Sequence, residues 1–540
     1  MPPAKRSFLQ RHVLTQAFRR VETLTLVLVV LGLAWRAVRY GEGFPIWGDE
    51  GAIAVNFFHA HWMDAFGRLA YGQIAPLGFL WSEIAITRLF GYSEWIVRLI
   101  PFLCGTASLL LFWRWAPRLV DRRTALLAVA VLAASFYAVR YCAEVKPYAA
   151  DMLVAMVLMA LAWQTHRWPR RLGWWLALTA GSALSIWLSY TAAFVVAGMG
   201  IFLFITLRRQ RWAWLWLAVL AVVAGGSFLL MYWVYARPHA QADPWYTSIF
   251  WRYAFPPMAK PWLIPWWLLE IHASEMMAYP LGSKNFGSSF TLLMVVIGGV
   301  SLCRSGNGKV VLFLLAPLIP ALLAAAAQKY PYGYALRTML FMGPSFCLLM
   351  GAGLSACLRR LVPRRLSPDG FRLTAMVIGA IAIVGMVRDV NRPTKDISDP
   401  QLRSAMRRVA SLTPPGEPWV VLFGKELLYG EEVPPGKANP PRFQFYVLQQ
   451  ARGPVLWSPP AADVQPGTSG RVWVLAYLNQ GSSPTRDRLT RYIEQLSERF
   501  APGKAQVFPI SGVGDARATE IDLLEFIARP AKAGQATTQR

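Results

Sequence analysis

Apolar runs of about twenty residues recur between residues 21 and 388 of this chain, and they constrain its fold more than any other feature. Each can cross roughly 30 Å of hydrocarbon as a helix. Lipid offers no partner to a bare backbone, so such a segment must satisfy its own hydrogen bonds. The composition agrees: 55% of residues are hydrophobic, the mean hydropathy is +0.36, and there are 24 tryptophans. The expectation is a polytopic α-helical membrane protein. Hydropathy and loop charge give about eleven spans. They lie near 21–38, 95–113, 124–139, 149–165, 172–190, 191–207, 213–235, 287–303, 310–327, 338–357 and 373–388. Only Ser189-Tyr190-Thr191 separates the fifth from the sixth, which reads as a tight hairpin. The first run lacks a small-residue cleavage site and leads directly into carboxylates, so it reads as a retained span.

The formal net charge of +26 would suit a nucleic-acid binder, but its placement does not. Residues 391–540 hold 19 Lys and Arg against 14 Asp and Glu, while residues 1–390 hold 36 against 15. The excess falls in short loops, as at Arg114–Arg123, Arg167–Arg171, Arg208–Arg211 and Arg359–Arg365. Basic inner loops set orientation and contact anionic lipid. Alternate loops carry Asp49, Glu50, Asp64, Glu83, Glu94, Glu144, Asp243, Glu270 and Glu275. This pattern puts the N-terminus inside, the acidic loops outside and, with an odd span count, the C-terminus outside.

Residues 391–540 read as a separate extracytoplasmic α/β domain, leaving 1–390 as the transmembrane domain with a long outer loop at 41–94. Trp419–Lys425 and Arg471–Leu478 have the composition of buried strands. Arg486–Phe500 has an amphipathic helical period, and Ile521–Ile527 suits a last strand or helix. Pro434–Gly436 and Pro459–Gly470 read as loops, and the tail from Ala531 as disordered. In the outer loop, Gly51–Leu69 suggests a helix lying on the membrane surface. His59, His61 and Asp64 there read as interfacial packing in preference to a metal site. The five cysteines, Cys104, Cys142, Cys303, Cys347 and Cys357, have no metal-ligand spacing and read as buried small hydrophobes without disulfides.

Three polar constellations fall on the predicted outer face. The first is Trp47-Gly48-Asp49-Glu50, adjacent carboxylates just after the first span. The second runs from Arg140 through Glu144, Lys146 and Tyr148 to Asp151, with Pro147 placed to open a helix. Its cations would attract a phosphate, or else pair internally with Glu144 or Asp151. The third is Lys329-Tyr330-Pro331-Tyr332-Gly333-Tyr334 with Arg337, which suits either an interfacial aromatic belt or a groove for a sugar and a phosphate.

Taken in order, these segments resemble the GT-C glycosyltransferases, in the branch of dolichyl-phosphate-mannose–protein mannosyltransferases and bacterial aminoarabinose transferases. The resemblance runs from the Asp49-Glu50 pair through Gln73…Pro76-Leu77, Leu89-Phe90-Gly91 and Val97-Arg98-Leu99…Pro101. It continues through Glu144-Val145-Lys146-Pro147-Tyr148…Asp151 and Tyr330-Pro331-Tyr332-Gly333 with Arg337, and covers roughly residues 20–390, with a similar soluble tail. Aminoarabinose transferases carry Glu-Lys-Pro-Pro where this chain has Gln73-Ile74-Ala75-Pro76, so Lys146 is the substitute cation.

The resemblance implies a bacterial inner-membrane glycosyltransferase. It would move a sugar from a polyprenyl-phosphate donor to an acceptor hydroxyl on a glycan, lipid or protein, with inversion. Asp49 is then the expected base, with Glu50 orienting it or the acceptor. Arg140, Lys146 and Arg337 would hold the donor phosphate, and Glu144, Tyr148, Asp151, Tyr330 and Tyr332 would line the sugar or acceptor groove. A divalent metal would serve as a Lewis acid, although no residue set in the sequence assigns it a place. The competing reading is a transporter or flippase of a lipid-linked glycan. It would call for a midplane site on broken, repeat-related helices, and no repeat is visible.

Overall fold

The computed structural model describes residues 3–237, 251–282, 286–363, 366–392, 394, 398–422, 440–479, 483–510 and 519–529. In chain order the first helices are α1 (Pro3–Gly41), α2 (Gly48–Ala54), α3 (Leu77–Phe90), α4 (Leu99–Trp115) and α5 (Arg122–Ala133). Then come α6 (Phe136–Tyr141), α7 (Tyr148–Arg167), α8 (Leu172–Leu188), α9 (Ala192–Leu207) and α10 (Arg211–Met231). The chain divides into two compact units: Met1–Gly43, His59–Gly91 and Trp95–Pro393 form one, and Phe44–Phe58, Tyr92–Glu94 and Thr394–Arg540 the other.

The first unit is helical. Eight of its helices are long and apolar enough to cross a membrane, and α8 and α9 are shorter apolar helices. The expected span at 124–139 is present as α5 and α6, broken at Ser135. There the Ser135 hydroxyl donates to the Val131 carbonyl at 2.6 Å and the Phe136 amide donates to Pro280 O. The helix Gly343–Leu361 is the most enclosed of the spans, packed against α5 and the helix Gly287–Arg304. Glycine allows that approach: a Cβ on Gly298 would meet Leu349 O at 2.0 Å, and one on Gly353 would meet Met294 O at 2.0 Å. Small residues are how membrane helices reach such distances. At one end, α1 is tied to the helix Ser367–Asn391 through Asp389, which accepts from Trp35 Nε1 at 2.8 Å and pairs with Arg39 at 2.7 Å.

The second unit is built on a five-stranded mixed sheet in the order β2-β1-β3-β5-β4. Its strands are β1 (Trp419–Leu422), β2 (Val455–Trp457), β3 (Arg471–Asn479), β4 (Phe500–Ile510) and β5 (Thr519–Ala528). β1 is parallel to β2 and β3, while β5 is antiparallel to β3 and β4. Val420, Val474, Ala476 and Leu496 are wholly buried in its core. Ile521–Ile527 is therefore a strand, and the helix expected to reach Phe500 ends at Ser497, while Phe500 opens β4. Residues 423–425, 434–436 and the tail from 531 lie outside the described residues.

The outer loop departs most from expectation. Residues 44–58 and 92–94 group with the second unit and not with the membrane unit. No continuous helix covers Gly51–Leu69: α2 ends at Ala54, and short 3-10 turns follow at Val55–Phe57 and Trp62–Phe66. Within the second unit Tyr446 donates its hydroxyl to Glu94 Oε1 at 2.7 Å and accepts from the Ile46 amide at 3.0 Å. Asp64 accepts from the His61 amide at 2.7 Å, so it caps a turn. Cys142 and Cys347 are buried as expected, whereas Cys303 is exposed at a helix end; all five cysteines are free thiols.

Candidate active site

Within the membrane unit, the second and third constellations converge. α6 ends on Arg140 and Tyr141, a turn carries Glu144 and Lys146, and Pro147 caps α7 as its sequence position foretold. Buried Tyr141 is the hub. The Arg140 guanidinium lies 5.7 Å from the centroid of its ring, and the turn Leu336–Met342 that carries Arg337 packs against α6 and α7. Tyr148 packs edge-on against that ring at 5.3 Å between centroids, and Tyr137 stacks on it at 6.2 Å. The pKa of the Tyr330 hydroxyl is pushed up, by burial first and then by Asp151 and Tyr148.

The cations differ in how they are held. Arg140 Nε pairs with Glu144 Oε1 at 2.6 Å, the internal ion pair weighed against a phosphate role. Buried Lys146 donates to Gln73 Oε1 at 2.8 Å. The lysine thus reaches the loop whose motif lacks its own lysine. The Arg337 guanidinium lies 5.2 Å from the centroid of Trp251, where cation–π attraction holds it in place.

Among the groove residues, Asp151 is buried and accepts from the Ser189 hydroxyl at 2.6 Å, and Ser189 in turn lies 3.0 Å from Thr191 Oγ1. Tyr330 donates to Thr338 O at 2.9 Å. Tyr332 lies 3.3 Å from His272 Nε2, and burial lowers the pKa of that imidazole. The hairpin Ser189-Tyr190-Thr191 contributes more than a turn: Tyr190 and Tyr235 both donate to Ala75 O, at 3.0 and 2.7 Å. Sequence reasoning had not singled out Tyr141, Ser189, Trp251 or His272. An Arg-Tyr dipeptide before a charged turn was the available signal for Tyr141. The others come from segments that the fold alone brings near.

Asp49 and Glu50 belong to the second unit. Both are in the first turn of α2, with Asp49 half-buried and Glu50 fully buried. α2 lies against the helix Pro440–Gln450, and Gly51 permits the contact: a Cβ there would meet Pro441 backbone at 2.9 Å. No group of three His, Cys, Asp or Glu side chains suited to a metal ion occurs among the described residues.

Residues 75–232 match the family model for dolichyl-phosphate-mannose-protein mannosyltransferase. The whole fold is similar to ArnT from Cupriavidus metallidurans, solved bound to undecaprenyl phosphate, with a TM-score of 0.53 at 13% identity over 92% of this chain and 97% of that one. The oligosaccharyltransferase of Archaeoglobus fulgidus, in its apo form, aligns at 11% identity over 84% of this chain and 69% of that one, with a TM-score of 0.48. No curated protein matches the chain. The chain is a multi-pass membrane protein with the GT-C glycosyltransferase fold.

Proposed function

We propose that this protein transfers a sugar from a polyprenyl-phosphate donor to an acceptor hydroxyl at the outer face of a bacterial inner membrane. One observation carries the reading. Arg140, Tyr141, Lys146 and Tyr148 gather at one end of the membrane unit, and the turn Leu336–Met342, which carries Arg337 and accepts from Tyr330, packs against α6 and α7 there. A lipid phosphate needs positive charge in a low-dielectric setting, and a sugar needs aromatic and polar walls. Undecaprenyl phosphate in the ArnT structure supports the same donor class.

The chemistry is a single displacement. The acceptor oxygen attacks the anomeric carbon, the bond from that carbon to the phosphate oxygen breaks, and polyprenyl phosphate departs. Asp49 takes the acceptor proton, with Glu50 orienting the attack. Lys146 and Arg337 meet the charge growing on the leaving phosphate. Arg140, already paired with Glu144, adds field more than a direct contact. Inversion follows from one displacement.

Asp49→Asn keeps the shape but removes the basic oxygen, and turnover of a purified protein in lipid should fall at least about a hundredfold. Lys146→Ala should weaken donor binding by about 1.5–3 kcal/mol, the value of a charge-assisted contact. A monodisperse Asp49→Asn protein with near-native transfer would remove the base. Unchanged donor affinity in Lys146→Ala would remove the phosphate ligand.

A further inference from the structure

α7 runs from the candidate active site at Tyr148 to Arg167, a 20-residue helix that spans about 30 Å. At its far end, the turn Arg167–Arg171 and the turn Arg208–Arg211 face each other across an open cavity of about 720 Å³. Its walls carry Arg167, Arg170, Arg171, Arg209 and Arg211. The sequence from residue 152 to 242 contains no Asp or Glu. No salt bridge to these five arginines occurs among the described residues. The basic end of the helix Gly343–Leu361 is different, because Arg359 there pairs with Asp121 at 2.8 Å.

Three further observations suit this cavity to a phosphate. α8 begins at Leu172 and α10 at Arg211, so two helix N-termini open on the same space. Their N-caps, Arg171 and Gln210, offer no capping side chain; Trp174 and Ala213 donate back to the cap carbonyls, which leaves the amides at 172–173 and 211–212 for another acceptor. The macrodipoles add positive potential to that of the arginines. Trp168 lies 4.8 Å from Arg171 and 5.8 Å from Arg167 and holds those guanidinia by cation–π contact. Trp212, the other indole of the wall, packs edge-on against buried Trp175, so the floor of the cavity is fixed. Tryptophan at the end of a membrane helix marks the headgroup level.

We infer that this cavity is a resident site for the phosphate headgroup of an anionic phospholipid, a membrane thickness away from the sugar-transfer site. The location favours a lipid over a soluble anion: the cavity opens between the ends of four apolar helices, where acyl chains lie alongside.

The test is native mass spectrometry of the full-length protein released from nanodiscs of phosphatidylcholine with a minor fraction of phosphatidylglycerol. The wild type should retain phosphatidylglycerol selectively. The double variant Arg171→Gln/Arg209→Gln should lose at least about tenfold of that retention, and each single variant should lose part of it. The variant Arg359→Gln/Arg360→Gln, which removes two charges from the end of the helix Gly343–Leu361, should keep it. Equal loss in both double variants would mean diffuse surface charge and overturn the site. Displacement of the lipid by millimolar inorganic phosphate, or equal phosphate binding in neutral nanodiscs, would overturn the assignment to a lipid. Retention that survives such phosphate supports it.

Discussion

At the scale of single residues, the polar groups of the membrane unit divide into held and unheld. Lys146, Asp151 and Arg140 each have a specific partner, so their positions are set before any ligand arrives. Such preorganisation lets a charge act without first turning. Glu83 on α3 is different: it is fully buried, and neither carboxylate oxygen has a partner among the described residues. Burial pushes its pKa well above the usual carboxylate range. The folded state therefore holds a proton that the unfolded chain releases near its ordinary value. Stability from this group is full below that value and is lost as pH rises toward the folded pKa. The slope is at most about 1.4 kcal/mol per pH unit. Glu83→Gln cannot titrate, so its melting temperature in detergent should fall less between pH 5 and pH 8 than that of the wild type. Parallel curves would show that Glu83 is ionised and paired. The sequence placed Glu83 among solvent-facing loop acids; only tertiary burial reveals otherwise.

At the scale of elements, what was legible followed physical periodicity. Helix occurs at each expected span, because crossing hydrocarbon demands length and apolarity that composition displays, although 310–327 is divided into Gly308–Leu315 and Leu318–Ala326. α5 and α6 differ through a local event, the break at Ser135, which hydropathy cannot register. β2 and β4 escaped notice for different reasons. Val455–Trp457 is three residues long, and β4 contains Pro502, Gly503 and Pro509, which read as turn signals. β4 tolerates them because it is an edge strand, with a register shift between Pro502 and Ala505. Of the site, the motif residues, Gln73 among them, were legible, whereas the pairing of Lys146 with Gln73 and the parts of Ser189 and Trp251 depended on distant turns meeting. One glycine contact tests the helix packing. Gly353→Leu would drive a side chain into Met294 backbone and should cost at least about 1–3 kcal/mol, the range for overpacking. Thermal shift in detergent should show a lower midpoint, while the neighbouring surface change Leu361→Ala should not.

At the scale of the whole molecule, the asymmetric charge predicts an orientation. With the N-terminus inside and the C-terminus outside, a phosphatase reporter joined after Arg540 should be active, and a fluorescent reporter that matures only in the cytoplasm should stay dark. The reverse pattern would invert the assignment of every loop, and with it the outer face proposed for Asp49. The soluble unit should respond to mild acid on its own account. Burial, and then Glu520, raise the Asp522 carboxyl to about 6, with Arg486 opposing. Its sheet should therefore be more stable at pH 5 than at pH 7, by a margin that Asp522→Asn abolishes in urea titrations followed by tryptophan fluorescence.

The chain passes between its two compact units five times, at 43/44, 58/59, 91/92, 94/95 and 393/394. Modularity is therefore lower than the linear sequence suggests. A truncation at residue 393 looks like the removal of an accessory tail. It would also strip α2 of the helix Pro440–Gln450 and leave Ile53, Phe57 and Ile46 without the partners that bury them. The piece that bears Asp49 is thus on loan to the far end of the polypeptide. Exchanging C-terminal regions between related proteins would have to carry residues 44–58 and 92–94 along with them. Late translation of that region also means that a ribosome must pass the helix Pro440–Gln450 before the segment carrying the candidate base can take its shape.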